Sequence, residues 1–235
     1  MKFENTLQTL DAERINTTIQ ILRHRILERF PDSGLAGVCS QLLTIAQQSK
    51  ERSEWIVRPI VSLRIAIALV IILFLLILIG SLLSFKMPTR EVNLLEVIQL
   101  AEVATNDLVF VGIAVFFLAS LETRIKRRRA LSAIHELRVI AHLIDIRQLT
   151  KDPQWVLTEG QDTESSPRHG MTSFELSRYL DYCSEMLSLT GKVAVLYVQN
   201  WDDPYALEAV NDVEELTTSL SRKIWQKLMI LNSMR

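Results

Sequence analysis

Four side chains in one stretch are of the types that chemistry uses: His135, Arg138, His142 and Asp145. In a helix this spacing sets them along a single stripe. Two imidazoles and a carboxylate are the donors that a divalent transition metal or a proton relay takes. The neighbouring Leu131, Ile134, Leu137, Val139, Ile140, Leu143, Ile144 and Ile146 make this sequence apolar almost all round, so the stripe is expected to be buried at least in part. Burial would oblige Arg138 to find a carboxylate, with Asp145, Asp181 and Glu185 as candidates, and would lower the pKa of an unpaired histidine. A seven-residue separation, however, puts the two histidines about 10 Å apart along the axis, too far for one ion to hold both unaided. A structural polar layer that sets helix register is therefore preferred, with His135, His142 and Asp145 kept as the metal candidates.

Other chemical signatures are missing. Glu136 follows His135, but Val139 stands where HExxH needs its second histidine, and no ExxH pair of the di-iron type occurs. The seven glycines form no GxGxxG, GxxxxGK[ST] or GxSxG pattern, so phosphate-cradling loops and nucleophile elbows have no place to form. The two cysteines, Cys39 and Cys183, lie far apart without a CxxC partner and are expected to be reduced and buried. Neither an enzyme nor a cofactor is expected.

The element that must position everything else is Ile65 to Leu83, nineteen residues without a charge. As a helix it spans roughly 28 Å at about 1.5 Å per residue, close to the roughly 30 Å of a bilayer's hydrocarbon core. Leu108 to Leu121 is a second, shorter apolar run, which needs Val103, Ala104 and the Thr105-Asn106-Asp107 edge to complete a span. The expected architecture is an all-α membrane protein: a two-helix transmembrane hairpin with a cytoplasmic helical bundle built from the N-terminal and C-terminal segments. The expected divisions are an N-terminal helical pair (1–57), a first transmembrane helix (58–85) and an outer connection with a short amphipathic helix (86–106). A second transmembrane helix (107–121) and a C-terminal bundle (122–235) follow, the bundle carrying a mobile loop at 158–170. A long polar region precedes the first apolar run, so that run is expected to act as its own uncleaved insertion signal.

Charge orients the hairpin. Lys50, Arg52, Arg58 and Arg64 lie before the first apolar run, and Arg124, Lys126, Arg127, Arg128 and Arg129 form a basic collar after the second, whereas the connection is mostly acidic. By the positive-inside bias both termini are expected to be cytoplasmic, in a cell (inner-type) membrane. The collar is also expected to meet anionic lipid headgroups. Residues 151 to 235 carry thirteen acidic against eight basic side chains, unlike the broad basic surface that nucleic acid needs.

Soluble helices follow from local signals. Asp11 is an N-cap for a helix that Pro31 ends, with Ile15, Ile19, Leu22, Ile26 and Phe30 on one face. After the PDSG turn a second helix carries Leu35, Val38, Leu42, Ile45 and Ala46, and its QQSKERSE continuation is expected to be too polar to bury. Trp55 suits a headgroup boundary, and Pro59 the first turn of the next helix. Thr172-Ser173-Phe174-Glu175 is a capping box, after which Leu176, Leu180, Cys183, Leu187, Thr190, Ala194 and Tyr197 recur at coiled-coil spacing. VAVLYV at 193–198 is β-branched but has no second strand to pair with. Asp203-Pro204 opens a last helix with Val213, Leu216, Leu220, Ile224, Leu228 and Leu231 inward.

The expected function is an integral membrane anchor, adaptor or self-assembling scaffold, working through a protein partner or a homo-oligomer. The alternative is an oligomeric channel or membrane-permeabilising effector gated by the cytoplasmic bundle, with Asn106 and Asp107 at its pore mouth. A metal or redox site on the histidine stripe ranks third.

Overall fold

The computed structural model describes residues 9–84, 94–153, 164 and 170–233. The chain is helical, with no strand among the described residues. Six helices occur there: α1 (Ala12–Arg29), α2 (Gly34–Val57), α3 (Val61–Ser84), α4 (Leu94–Leu149), α5 (Ser173–Leu196) and α6 (Pro204–Ser233). They divide into two units, one of Met1–Val57 with Arg127–Arg235, the other of Arg58–Lys126. The proposed mobile loop lies almost wholly outside the described residues, as does the start of the connection.

In the first unit, α1 starts where the Asp11 carboxylate accepts from the backbone N–H of Glu13 at 2.9 Å, satisfying one of the donors a helix start leaves free. It ends at Phe30, whose N–H closes on the Ile26 carbonyl at 2.8 Å just before Pro31. Ile15, Ile19, Leu22 and Ile26 are its buried stripe. α2 buries Leu35, Val38, Cys39, Leu42 and Ala46, and the stripe runs on through Ser49 and Ser53 to Ile56. Within QQSKERSE only these two serines are buried, and the other six residues stay out of the core as expected. Each serine folds its hydroxyl back onto its own helix, Ser49 donating to the Ala46 carbonyl at 2.7 Å and Ser53 to that of Lys50 at 2.9 Å, so neither hydroxyl is left unpaired.

α5 is the central helix of this unit. All seven residues at coiled-coil spacing are buried, and so are Tyr179, Tyr182, Met186, Leu189, Val193 and Leu196 on other sides. A two-helix seam would bury only the first set; α5 instead packs on α6, α1 and α2. Phe30 meets Tyr179 and Tyr182 edge to face at 5.4 and 6.2 Å. Gly191 does not break α5, which runs on to Leu196 before a turn. α4 contributes Ala130, Ile134, Leu137, Ile140, Ala141 and Ile144 to the same core.

The second unit contains α3 and the first part of α4. Both are long and apolar enough to cross a membrane, and no part of either apolar window is buried inside the protein. Pro59 falls in the break before α3 rather than in its first turn. α4 is uninterrupted over 56 residues, so the short connecting helix and the second apolar run belong to one helix with no break at 107. Thr105, Asn106 and Asp107 are helical, and the Thr105 hydroxyl donates to the Ala101 carbonyl at 2.7 Å. With no proline beyond Leu94 in this stretch, polar side chains alone do not stop a helix.

Candidate functional site

The histidine stripe does not form a buried site. His135 and His142 are both exposed, on the same outward side of α4 as the exposed Val139 and Ile146. The apolar residues around them are too numerous for one face, so part of the surplus shares the solvent side with the imidazoles. Arg138 is only half-buried, and its partner is Asp212 on α6 at 2.7 Å, not Asp145, Asp181 or Glu185. Those three are engaged elsewhere: Glu185 by Arg25 at 2.8 Å, Asp181 by Arg178, and Asp145 by the Gln148 amide at 2.6 Å. Among the described residues no group of three His, Cys, Asp or Glu side chains is placed to hold a metal ion.

Asp145 belongs to a different arrangement. Gln148 donates to it while accepting from the Lys227 ammonium, both at its side-chain oxygen (2.7 Å) and at its backbone carbonyl (2.8 Å). The Lys227 of α6 thus caps the last turn of α4, where the helix dipole favours a cation. Burial pulls its pKa below the ordinary lysine value, and the nearby Asp152, Asp145 and Cys183 only partly oppose that.

The basic collar is more differentiated than a run of like charges implies. In the second unit, Lys126 lies 2.8 Å from Glu122, which also takes Arg64 at 3.4 Å; Arg124 is exposed. In the first unit, Arg127 grips Asp203 with three N–H···O contacts of 2.9–3.1 Å and lays its guanidinium 3.9 Å from the centre of the Tyr205 ring. Asp203 is 4% exposed at its side chain and also accepts the Ala206 N–H at 3.1 Å as the α6 cap. Burial disfavours its ionised form, yet the hydrogen bonds from Arg127 and Ala206 outweigh that and hold its carboxyl below the usual range. Arg129 stacks 3.8 Å over the Trp55 ring, and Arg128 is exposed. Sequence reasoning missed Tyr205, and knew Asp203 only as a cap. The signal available was the Asp-Pro-Tyr run, but nothing in it points to a partner so far back in the chain.

Asn106 and Asp107 are exposed neighbours on α4. A surface cavity of about 610 Å³ lies beside the α1–α2 turn, with Asp32, Ser33, Arg147, Lys151 and Tyr179 in its lining. The Tyr179 hydroxyl donates to the Arg147 carbonyl at 3.3 Å, and burial pushes this phenol well above its ordinary value, so it is no base at neutral pH. Cys39 and Cys183 are free thiols, both buried. Comparison with protein-family models, with curated proteins and with solved structures finds no match to this chain.

Proposed function

We propose that the chain is a two-pass integral membrane protein whose first unit is a helical bundle held in the cytosol, and that it serves as an anchor, adaptor or self-assembling scaffold. The observation that carries this reading is the contrast between the units. One closes a core around α5, whereas the other leaves Leu69, Leu73, Leu76, Phe110 and Phe116 exposed along its helices. Each large apolar side chain left in water forgoes about 1.5–3 kcal/mol of burial, so helices of this kind persist in lipid or against another apolar surface. The charge bias of their flanks favours cytosolic termini. Contact with protein is favoured by apolar side chains the first unit does not use, such as Ile146 and Leu149 on α4 and Trp225 and Met229 on α6.

Three measurements test this. Alkaline carbonate should leave the protein in the membrane pellet. A cysteine at Pro88 should react with an impermeant maleimide on intact cells and one at Trp225 only after lysis; labelling of both in one compartment overturns the topology. Crosslinking in native membranes, followed by sizing in detergent, should yield a species larger than one chain, and a lone monomer in both overturns the assembly role. The exposed, adjacent Asn106 and Asp107 favour the pore as a second reading: an ion flux from proteoliposomes that Asp107→Ala abolishes would establish it, and sealed vesicles would end it.

A further inference from the structure

We propose that the end of the first unit where α2 finishes and α4 enters is a lipid-headgroup belt. In it Trp55 and Tyr205 sit at headgroup depth on opposite flanks of α4, Arg128 and Arg129 take lipid phosphate, and Arg127 is withheld from lipid by Asp203. The inference rests on the membrane reading above and adds the residues that set depth and headgroup preference.

Four observations carry it. Trp55 and Tyr205 are 47% and 55% exposed, large rings that the core does not use. Each lies against a guanidinium of α4, Trp55 under Arg129 at 3.8 Å and Tyr205 under Arg127 at 3.9 Å. Positions 127 and 129 differ by about 3 Å along the helix axis and about 200° around it, so the two rings flank α4 at one level. Finally, the chain leaves the first unit just after Trp55 and resumes it just before Arg129, and these two residues are in contact. Tryptophan and tyrosine concentrate where an apolar body meets a wet, polar layer, and stacked arginine tolerates that layer because it is weakly hydrated.

The cations divide by what their N–H edges already do. Arg127 spends them on Asp203. Arg129 offers only its flat face to Trp55, and its edges carry no hydrogen bond among the described residues. Arg128 is exposed and has no ion pair among the described residues. Guanidinium edges bind phosphate oxygens in pairs, so the preference for anionic lipid falls to Arg128 and Arg129.

The test uses full-length protein in phosphatidylcholine vesicles with and without phosphatidylglycerol, with Trp155, Trp201 and Trp225 changed to Phe. A second protein keeps Trp225 alone. Trp225 neighbours Lys227, which bonds Gln148, and twenty residues of α4 from Arg128 to Gln148 place it about 30 Å from the belt. Flotation is measured first: protein that stays behind overturns the membrane reading and the belt together. For protein that floats, a headgroup-depth spin label should quench Trp55 roughly twofold more than Trp225, with aqueous acrylamide in the reverse order. Phosphatidylglycerol should shift Trp55 emission to the blue, and Arg128→Gln with Arg129→Gln should remove that shift while Arg127→Gln leaves it. Equal acrylamide access for both tryptophans, or a shift lost only with Arg127→Gln, overturns the belt and leaves the membrane reading standing. If the triple substitution does not fold, the difference between the native chain and Trp55→Phe supplies the same quenching values.

Discussion

Arg127 and Asp203 meet through three N–H···O contacts, and the same carboxylate caps the first turn of α6. One side chain therefore starts a helix and ties it to α4. Removing it removes both functions, whereas an amide of the same shape keeps the cap and loses the charge.

Asp203→Ala should accordingly cost more than Asp203→Asn. The cap alone is worth about 1 kcal/mol, and the alanine variant also strands Arg127. The carboxyl is held below its usual pKa in the folded chain, so its stabilisation is complete above about pH 4, the ordinary aspartate value. It is lost as the pH falls through the lower folded value. Denaturant unfolding in detergent should show a larger acid-side loss in the native chain than in either variant.

The thiols should be silent in the native protein. Burial pushes Cys39 up to about 12, against a small opposing pull from Arg23, and Cys183 likewise to about 12, against Lys227. Thiolate is the reacting species, and neither sulfur is exposed. At pH 8 a maleimide should add no mass to the folded chain over hours and should modify both cysteines in denaturant. Rapid labelling of either one without denaturant would mean the α1–α2 or α5–α6 packing is wrong.

Helix starts were legible because caps are local. Asp11, Thr172 with Glu175, and Asp203 each satisfy N–H groups two or three residues away. The orientation of α4 was not. Its sequence around His135 and His142 is apolar on nearly every side, so periodicity carries no direction, and only the packed neighbours decide that the histidines face out. The partner of Arg138 was unreadable for the same reason, since Asp212 becomes its neighbour only through the packing of α6 on α4. The collar was legible as charge. Its pairing with the Trp55 and Tyr205 rings was not, because an aromatic distant in sequence gives no sign of the cation it meets.

Gly191→Ala should stabilise the protein. The glycine lies inside α5, and a Cβ there would meet Thr217 Oγ1 at 3.5 Å and Glu214 Cγ at 3.8 Å, ordinary contact distances. Alanine is favoured over glycine in a helix by about 0.8–1 kcal/mol, part of it through the unfolded chain. A rise in thermal midpoint is the expected result. Gly191→Leu should reverse it, because atoms beyond Cβ must displace Thr217, itself buried on α6.

Exposed ion pairs between helices should contribute little. Arg52 reaches Glu136 at 2.7 Å, linking α2 to α4, but both side chains keep more than a third of their surface in solvent. Pairs of this kind couple by about 0.2–1 kcal/mol. A double-mutant cycle with Arg52→Gln and Glu136→Gln should fall in that range and shrink with salt. A much larger value would mean the pair is drier than its geometry implies.

Lys227 should give a pH signature of the same sign as Asp203, but at the alkaline end. Burial lowers its folded pKa, so its charged form is less comfortable in the folded chain than in the unfolded one. Between the folded value and the ordinary lysine value of about 10.4, the unfolded chain binds more protons, and stability contributed by this group rises with pH. Tyr179 and Tyr197, both raised by burial, pull the whole protein the other way once free tyrosine ionises near pH 10, so the comparison must be differential. Lys227→Met keeps the aliphatic stem and removes the ammonium from Gln148. Between pH 8 and 10 the native chain should gain on this variant, and a gap that widens against the native chain would mean that the Gln148 contacts outweigh burial.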